Sequence, residues 1–276
     1  MLDEKIKTAI NLLRAAKEKA DIPSGPLPQH LYHYTNAEGL YGILRTRTIW
    51  ATHFDFLNDR SEFSYAFEIL KERLTAQAGA DASAKLIPAL DKWPNLMGPH
   101  YVASFCEDGD LLSQWRGYAQ TNDGYAIGFK SGNLSKRGPD LAQLIYPRAE
   151  QTRFLDSLLS FAIKASVDLD DAGQLTLISA ALGSPIMHLY RFKHELFSGE
   201  REWRLIGRLK DGATERFRTA HGHFVPYIAV PVEADDIDVI VQGPGAYRPG
   251  NKEAIERFAK SCGFAPTVIR SEVPLA

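Results

Sequence analysis

The sequence predicts an α+β fold on a mixed, largely antiparallel sheet, and three observations carry that expectation. Short runs rich in β-branched and aromatic residues recur at 31–35, 48–52, 100–107, 125–130, 142–147, 200–207, 223–230 and 237–243, with "PTVIRS" near the C-terminus. Helical patterns cluster between these runs instead of alternating with them one for one, as a doubly wound sheet requires. No G-x-G-x-x-G follows a first strand, and there is no P-loop.

Taken in order, Ile6, Ile10, Leu13 and Ala16 fall at helical spacing and predict an amphipathic helix over 3–20. Pro23, Pro26 and Pro28 then force an extended connector. Residues 1–28 therefore read as an N-terminal helix plus linker, and 29–276 as a single α+β domain. "LYHYT" (31–35) is a short strand, and Thr35 with Glu38 forms a Thr-x-x-Glu capping box that starts a helix to about Leu44. "TIWAT" (48–52) is the next strand. "FLNDRSE" (56–62) is a polar turn feeding a helix from Arg60 to Ala76, with another helical stretch over 82–92.

"HYVASFCE" alternates as a strand should, "LLSQWRGYA" makes a helical turn or two, and the "NDG" turn leads into "YAIGFK". Residues 149–194 are helical, broken near Gly183–Pro185, and read as a helical insert. Strands resume at "EREWRLIG", "HFVPYIAV" and "IDVIVQG". A Gly/Pro loop then feeds a last helix before the closing strand.

The 276 residues are 45% hydrophobic and 24% charged, which suits a globular protein with a real core. A formal net charge of -2 supplies no overall field toward nucleic acid or anionic membrane. No apolar run approaches the ~20 residues of a membrane span. "MLDEKIKTAINLL" lacks the apolar core of a signal peptide. Cys106 and Cys262 form neither a disulfide framework nor a metal-spaced motif. A cytoplasmic protein without a membrane partner is the expectation.

Several constellations carry chemistry. His33 sits mid-strand between Tyr32 and Tyr34, and alternation puts His33 and Thr35 on one face. It is either a hydrogen-bonded structural residue or a donor to a ligand hydroxyl or phosphate. In "LNDRSE", Asn58 and Asp59 suit a turn, and Glu62 suits the positive end of a helix. Trp115, Arg116 and Tyr118 lie close on one short helix, where they can stack a planar ring and neutralise a phosphate, or fill the core and hold a loop. Read as one strand, "GEREWRL" places Glu200 and Glu202 on the same face. Two like charges there suit a cationic transition state such as an oxocarbenium ion. His221 and His223 in "HGH" lack a third ligand, and His188 and His194 are six residues apart, so no metal site is expected.

The blocks "LYHYT", "LNDRSE", "LLSQWRGYA…DGYAIGF", "FKHELFSGEREWRL" and "VIVQGPG", in this order from Leu31 on, resemble a widespread bacterial family known as a domain of unknown function. More remotely, the order of a His-bearing first strand, a middle aromatic element and a late E-x-E strand resembles the ADP-ribosyltransferase superfamily, with its split sheet. That resemblance implies NAD as substrate. It implies that His33 binds the adenosine-side ribose, that Thr35 is the small hydroxyl residue following it, and that Trp115 or Tyr118, beside Arg116, stacks on nicotinamide. Glu202 would favour the oxocarbenium-like transition state while Glu200 orients or deprotonates the attacking group. The acceptor, protein, nucleic acid or water, stays open. A toxin-like or phage-defence effector held by an antitoxin or other partner protein fits such chemistry.

Two other readings stay open on the residues alone. One is a metal-free RNA- or nucleotide-acting enzyme with His33 as acid/base and Arg116, Arg201 and Arg204 on phosphates. The other is a non-catalytic nucleotide-sensing or partner-binding module.

Overall fold

The computed structural model describes residues 25–57, 61–91, 99–118, 124–166, 189–209, 214–220 and 222–274. The expected N-terminal helix, Asn58, Asp59, the Asn-Asp of the "NDG" turn, the break at Gly183–Pro185, His188 and His221 lie outside these. The chain divides into two compact units. One is a sheet unit formed from 25–57, 99–144 and 199–276. The described part of the other lies in 61–91, 145–166 and 189–198.

Among the described residues the sheet unit holds ten strands, in keeping with the α+β expectation. In chain order they are β1 (His30–Thr35), β2 (Thr48–His53), β3 (His100–Cys106), β4 (Tyr125–Lys130), β5 (Asp140–Gln143), β6 (Glu202–Arg208), β7 (Arg216–Ala220), β8 (His223–Pro231), β9 (Ile237–Gln242) and β10 (Thr267–Arg270). The order across the sheet is β10-β9-β4-β1-β3-β2-β8-β7, with β6 between β3 and β5. Of the strand ladders among the described residues, only β9–β10 is parallel. The helix α6 (Asn251–Ser261) connects that pair, because parallel neighbours need a crossover.

One pairing detail shapes the functional region. β6 runs along the whole of β3, from His100 to Cys106. A strand has two edges, so β1 and β2 share the other one. β2 pairs at Val102 and Tyr101, and β1 only at Cys106. The sheet therefore opens along the seam between β1 and β3. Tyr32, Cys106 and Glu202 form one row across β1, β3 and β6.

The main core lies on one face of this sheet. It gathers Leu31, Ile49, Phe105, Phe129, Trp203 and Leu205 from strands. It gathers Leu40, Ile43 and Leu44 from α1 (Ala37–Thr46), Leu134 from the one-turn α4 (Ser131–Leu134), and Ile255 and Ala259 from α6. A smaller cluster of Tyr34, Cys106, Trp115, Ala126 and Val241 packs on the opposite face under α3 (Leu112–Tyr118).

In the other unit, α2 (Ser61–Asp91) and α5 (Arg148–Ser166) are tied by the Arg73 guanidinium. It donates to both oxygens of Asp156, at 2.7 and 3.0 Å. Glu62 is buried against Lys193 at 3.0 Å, which accounts for this residue of "LNDRSE" as an ion-paired member of that unit. Among the described residues, no helix is long and apolar enough to cross a membrane.

Five local expectations change. The cap of α1 is Asn36, whose side chain accepts from Gly39 N at 2.8 Å. Thr35 cannot serve because it is still the last paired residue of β1, opposite Tyr125. The two helices expected over 60–92 are one, α2, since Gly79 does not end it. β5 ends at Gln143, before most of the expected 142–147 run. β6 starts at Glu202 rather than Glu200, because Arg201 takes a left-handed φ of 44° that no strand continues through. β7 was not expected, since "RFRTA" has one large apolar residue, Phe217, and it is exposed.

Candidate functional site

Where β1 and β3 part, the sheet unit has a small cleft, partly open to solvent. Tyr32, His33 and Tyr34 of β1 and Ser104, Phe105 and Cys106 of β3 line it. Three consecutive residues of a strand cannot share a face, so the cleft follows the opened seam rather than one face of the sheet. Gln114 and Tyr118 of α3 complete it on one side, Glu200 and Glu202 on another. His33, Tyr118, Glu200 and Glu202 are thus brought together. Trp115, Arg116 and Thr35 are not among the lining residues.

His33 is fixed by its own strand neighbour. Its Nδ1 lies 3.0 Å from the Ser104 carbonyl oxygen, and a carbonyl only accepts, so Nδ1 carries the proton. In the neutral ring Nε2 is then an acceptor. Burial lowers the pKa of this imidazole from 6.5, and the Ser104 bond opposes that shift. Its ring also packs against Phe105, centroids 5.8 Å apart.

Glu202 is only 4% exposed. Arg204, two residues on and on the same strand face, donates to both its oxygens, from Nε at 2.7 Å and Nη2 at 3.3 Å. A buried carboxylate needs such a partner, and the fork sets its orientation. Arg204 is itself 2% exposed and committed to this pair, so it is not a surface phosphate contact. Glu200 lies in the short 3-10 turn Glu195–Glu200, half-buried. The turn at Arg201, not strand alternation, brings it to the cleft beside Glu202. Arg201 is exposed and pairs with Asp108 at 3.1 Å.

Trp115 belongs to the core. It has 0% exposure, its indole N–H donates to Asp110 at 2.7 Å, and Tyr34 meets it edge-on with centroids 4.7 Å apart. It pins α3 and so positions Gln114 and Tyr118. Tyr34 adds to this: its hydroxyl donates to the Asp108 carbonyl and accepts from Leu111 N, both at 2.9 Å. Asp110 also accepts from Ser271 and from Glu272 N, fastening the C-terminal segment to the same loop. Arg116 is exposed on α3, and Thr35 is the last residue of β1, next to the lining residue Tyr34. Tyr32 is held in a slot between two glycines: a Cβ on Gly109 would come within 2.5 Å of its ring, and one on Gly128 within 2.9 Å.

Sequence reasoning missed Gln114, Cys106 and Ser104. The available signal for Gln114 was its spacing: it stands four residues before Tyr118, one helical turn away on the same face. Cys106 and Ser104 enter only through the register of β3, which no local pattern reveals.

A search of curated proteins returns no match. Two solved structures from Thermus sp. 2.9 are similar. DarT in complex with ADP-ribosylated ssDNA is 15% identical with a TM-score of 0.35, covering 90% of this chain and 96% of that one. DarT in complex with NAD+ is 14% identical with a TM-score of 0.35, covering 90% of this chain and 97% of that one. The family described as "Protein of unknown function (DUF2971)" matches residues 114–205, a segment that runs from Gln114 and Tyr118 through to Glu200 and Glu202.

Proposed function

We propose that the chain cleaves NAD at its nicotinamide N-glycosidic bond and passes the ADP-ribosyl group to an acceptor or to water. The observation that carries the reading is the meeting of His33, Tyr118, Glu200 and Glu202 in one partly open cleft. In that step the C1′–N bond breaks, its electron pair leaves with the ring, and the pyridinium becomes neutral nicotinamide. Positive charge develops on the ribose. An oriented carboxylate stabilises that charge only as it forms, which is the requirement for catalysis.

Glu202, aimed by Arg204, is the residue for this role. Glu200 takes the proton of the attacking hydroxyl or water as the new bond to C1′ forms. Neutral His33 offers Nε2 to a ribose hydroxyl, and Tyr118 offers a ring face to the nicotinamide. The acceptor is a protein, a nucleic acid or water. A toxin or phage-defence effector, restrained by a partner protein, is the biological role this chemistry suits.

The test is release of nicotinamide from NAD by the purified chain, with and without a cell extract as acceptor. Glu202→Gln should lower the rate by about 10²–10³ while NAD still binds. Since Arg204 loses its charged partner, the variant should also melt lower, so rates are compared per folded molecule. Turnover by Glu202→Gln at the parent rate, or no turnover and no NAD binding by the parent, defeats the reading.

A further inference from the structure

Gln114 is 5% exposed and lines the cleft. Its backbone N–H donates to the Leu111 carbonyl at 3.1 Å. Its carboxamide has no hydrogen-bond partner among the described residues. Neither of its polar atoms is sealed away without a partner, so the amide is open to the cleft. A group bound in the cleft meets that amide. We propose that Gln114 reads the carboxamide of the nicotinamide ring, and so selects the amide over the acid form of the dinucleotide. The inference rests on the reading that NAD is the ligand.

Two chemical arguments single out that group. A primary carboxamide has one acceptor oxygen and an NH₂ that donates. A ligand carboxamide has the same set, so the two form a reciprocal pair of N–H···O bonds. Tyr118 sits one turn along α3, where i,i+4 side chains are neighbours. A ring carrying an amide can therefore lie on the tyrosine while its substituent meets the glutamine. Replacing the ligand amide by a carboxylate breaks the reciprocal pair. It also brings a negative charge toward Glu200 and Glu202. The reader is rigid, because Trp115, Tyr34 and Asp110 hold α3. A glutamine can also read adenine through its N6 and N7, so the test needs an arm for each end of the dinucleotide.

Dissociation constants are measured by calorimetry for NAD, nicotinic acid adenine dinucleotide and nicotinamide hypoxanthine dinucleotide, on the parent, Gln114→Leu and Gln114→Met. The parent should prefer NAD over the acid analogue by about tenfold or more. Both variants should bind NAD more weakly and bring NAD and the acid analogue within about threefold. Any preference over the hypoxanthine analogue should stay as in the parent. Without ligand, both variants should melt at or above the parent temperature, since no hydrogen bond within the protein is removed. Retention of the amide preference overturns the proposal. So does loss of the adenine preference instead, or a lower melting temperature in both variants, which would mean the amide is bonded within the protein. Failure of the parent to bind any of the three defeats the NAD reading itself. Parent binding with unchanged variants defeats the role of Gln114 alone.

Discussion

At the scale of single residues, the cleft depends on groups whose state is set by burial. His33 is the clearest case. Burial pushes its pKa below 6.5, with the Ser104 bond as the smaller, opposing influence. The unfolded chain takes up a proton near pH 6.5 while the folded chain resists it, so the unfolded state binds more protons as pH falls. Stability is then full above about pH 6.5 and is lost on acidification. Between pH 7.5 and 5.5 the parent should lose more of its urea midpoint than His33→Gln does. Equal losses would show that the imidazole is not held neutral. Gly109 makes a steric prediction. A methyl there meets Cδ1 and Cε1 of Tyr32 at 2.5 Å, so Gly109→Ala should destabilise by about 1–3 kcal/mol. In a Tyr32→Ala background the same change should cost little, and a double-mutant cycle that shows no such coupling rejects the slot.

At the scale of elements, α3 shows what could and could not be read from the chain. Strands rich in β-branched and aromatic residues, such as β1, β3 and β4, were legible from composition and turn signals, although β3 and β4 prove to be buried on both faces. A helix of seven residues leaves its inward side undetermined, so Trp115 and Tyr118 stood as equal candidates for stacking. The fold gives Trp115 to the core and Tyr118 to the cleft, where it remains 42% exposed. Glu200 was expected in the cleft through strand alternation and reaches it through a turn. Nothing in "GEREWRL" marks the left-handed φ at Arg201, since glycine or asparagine is the usual occupant. β7 was illegible because its ladder is supplied by β8, with no apolar pattern of its own. The same element yields a prediction. Tyr34→Phe deletes the hydroxyl that spans the Asp108 carbonyl and the Leu111 amide. It should cost about 1–3 kcal/mol and weaken NAD binding by loosening α3, with the ring contact to Trp115 kept. Unchanged affinity in a Tyr34→Phe chain of lowered stability would show that the loop does not position the site.

At the scale of the whole molecule, all ten lining residues belong to the sheet unit, although they come from three separate stretches of chain. Long-range pairings such as β3 with β6 must therefore form before any site exists, and a ligand bound there stabilises the folded sheet unit as a body. Ligand at about 100 times its dissociation constant adds about 2.7 kcal/mol to the state that binds it. For a folding unit of this size, ~2–4 °C per kcal/mol gives a rise of ~5–10 °C. Calorimetry with and without saturating NAD should show that rise in the transition of the sheet unit. If the chain melts in two steps, the step belonging to α2 and α5 should move less, because no residue of theirs lines the cleft. Glu202→Gln, which keeps the cleft, should still show a shift, and Gln114→Leu a smaller one. A transition that stays in place as NAD reaches millimolar concentration would mean that the opened seam between β1 and β3 does not hold a dinucleotide.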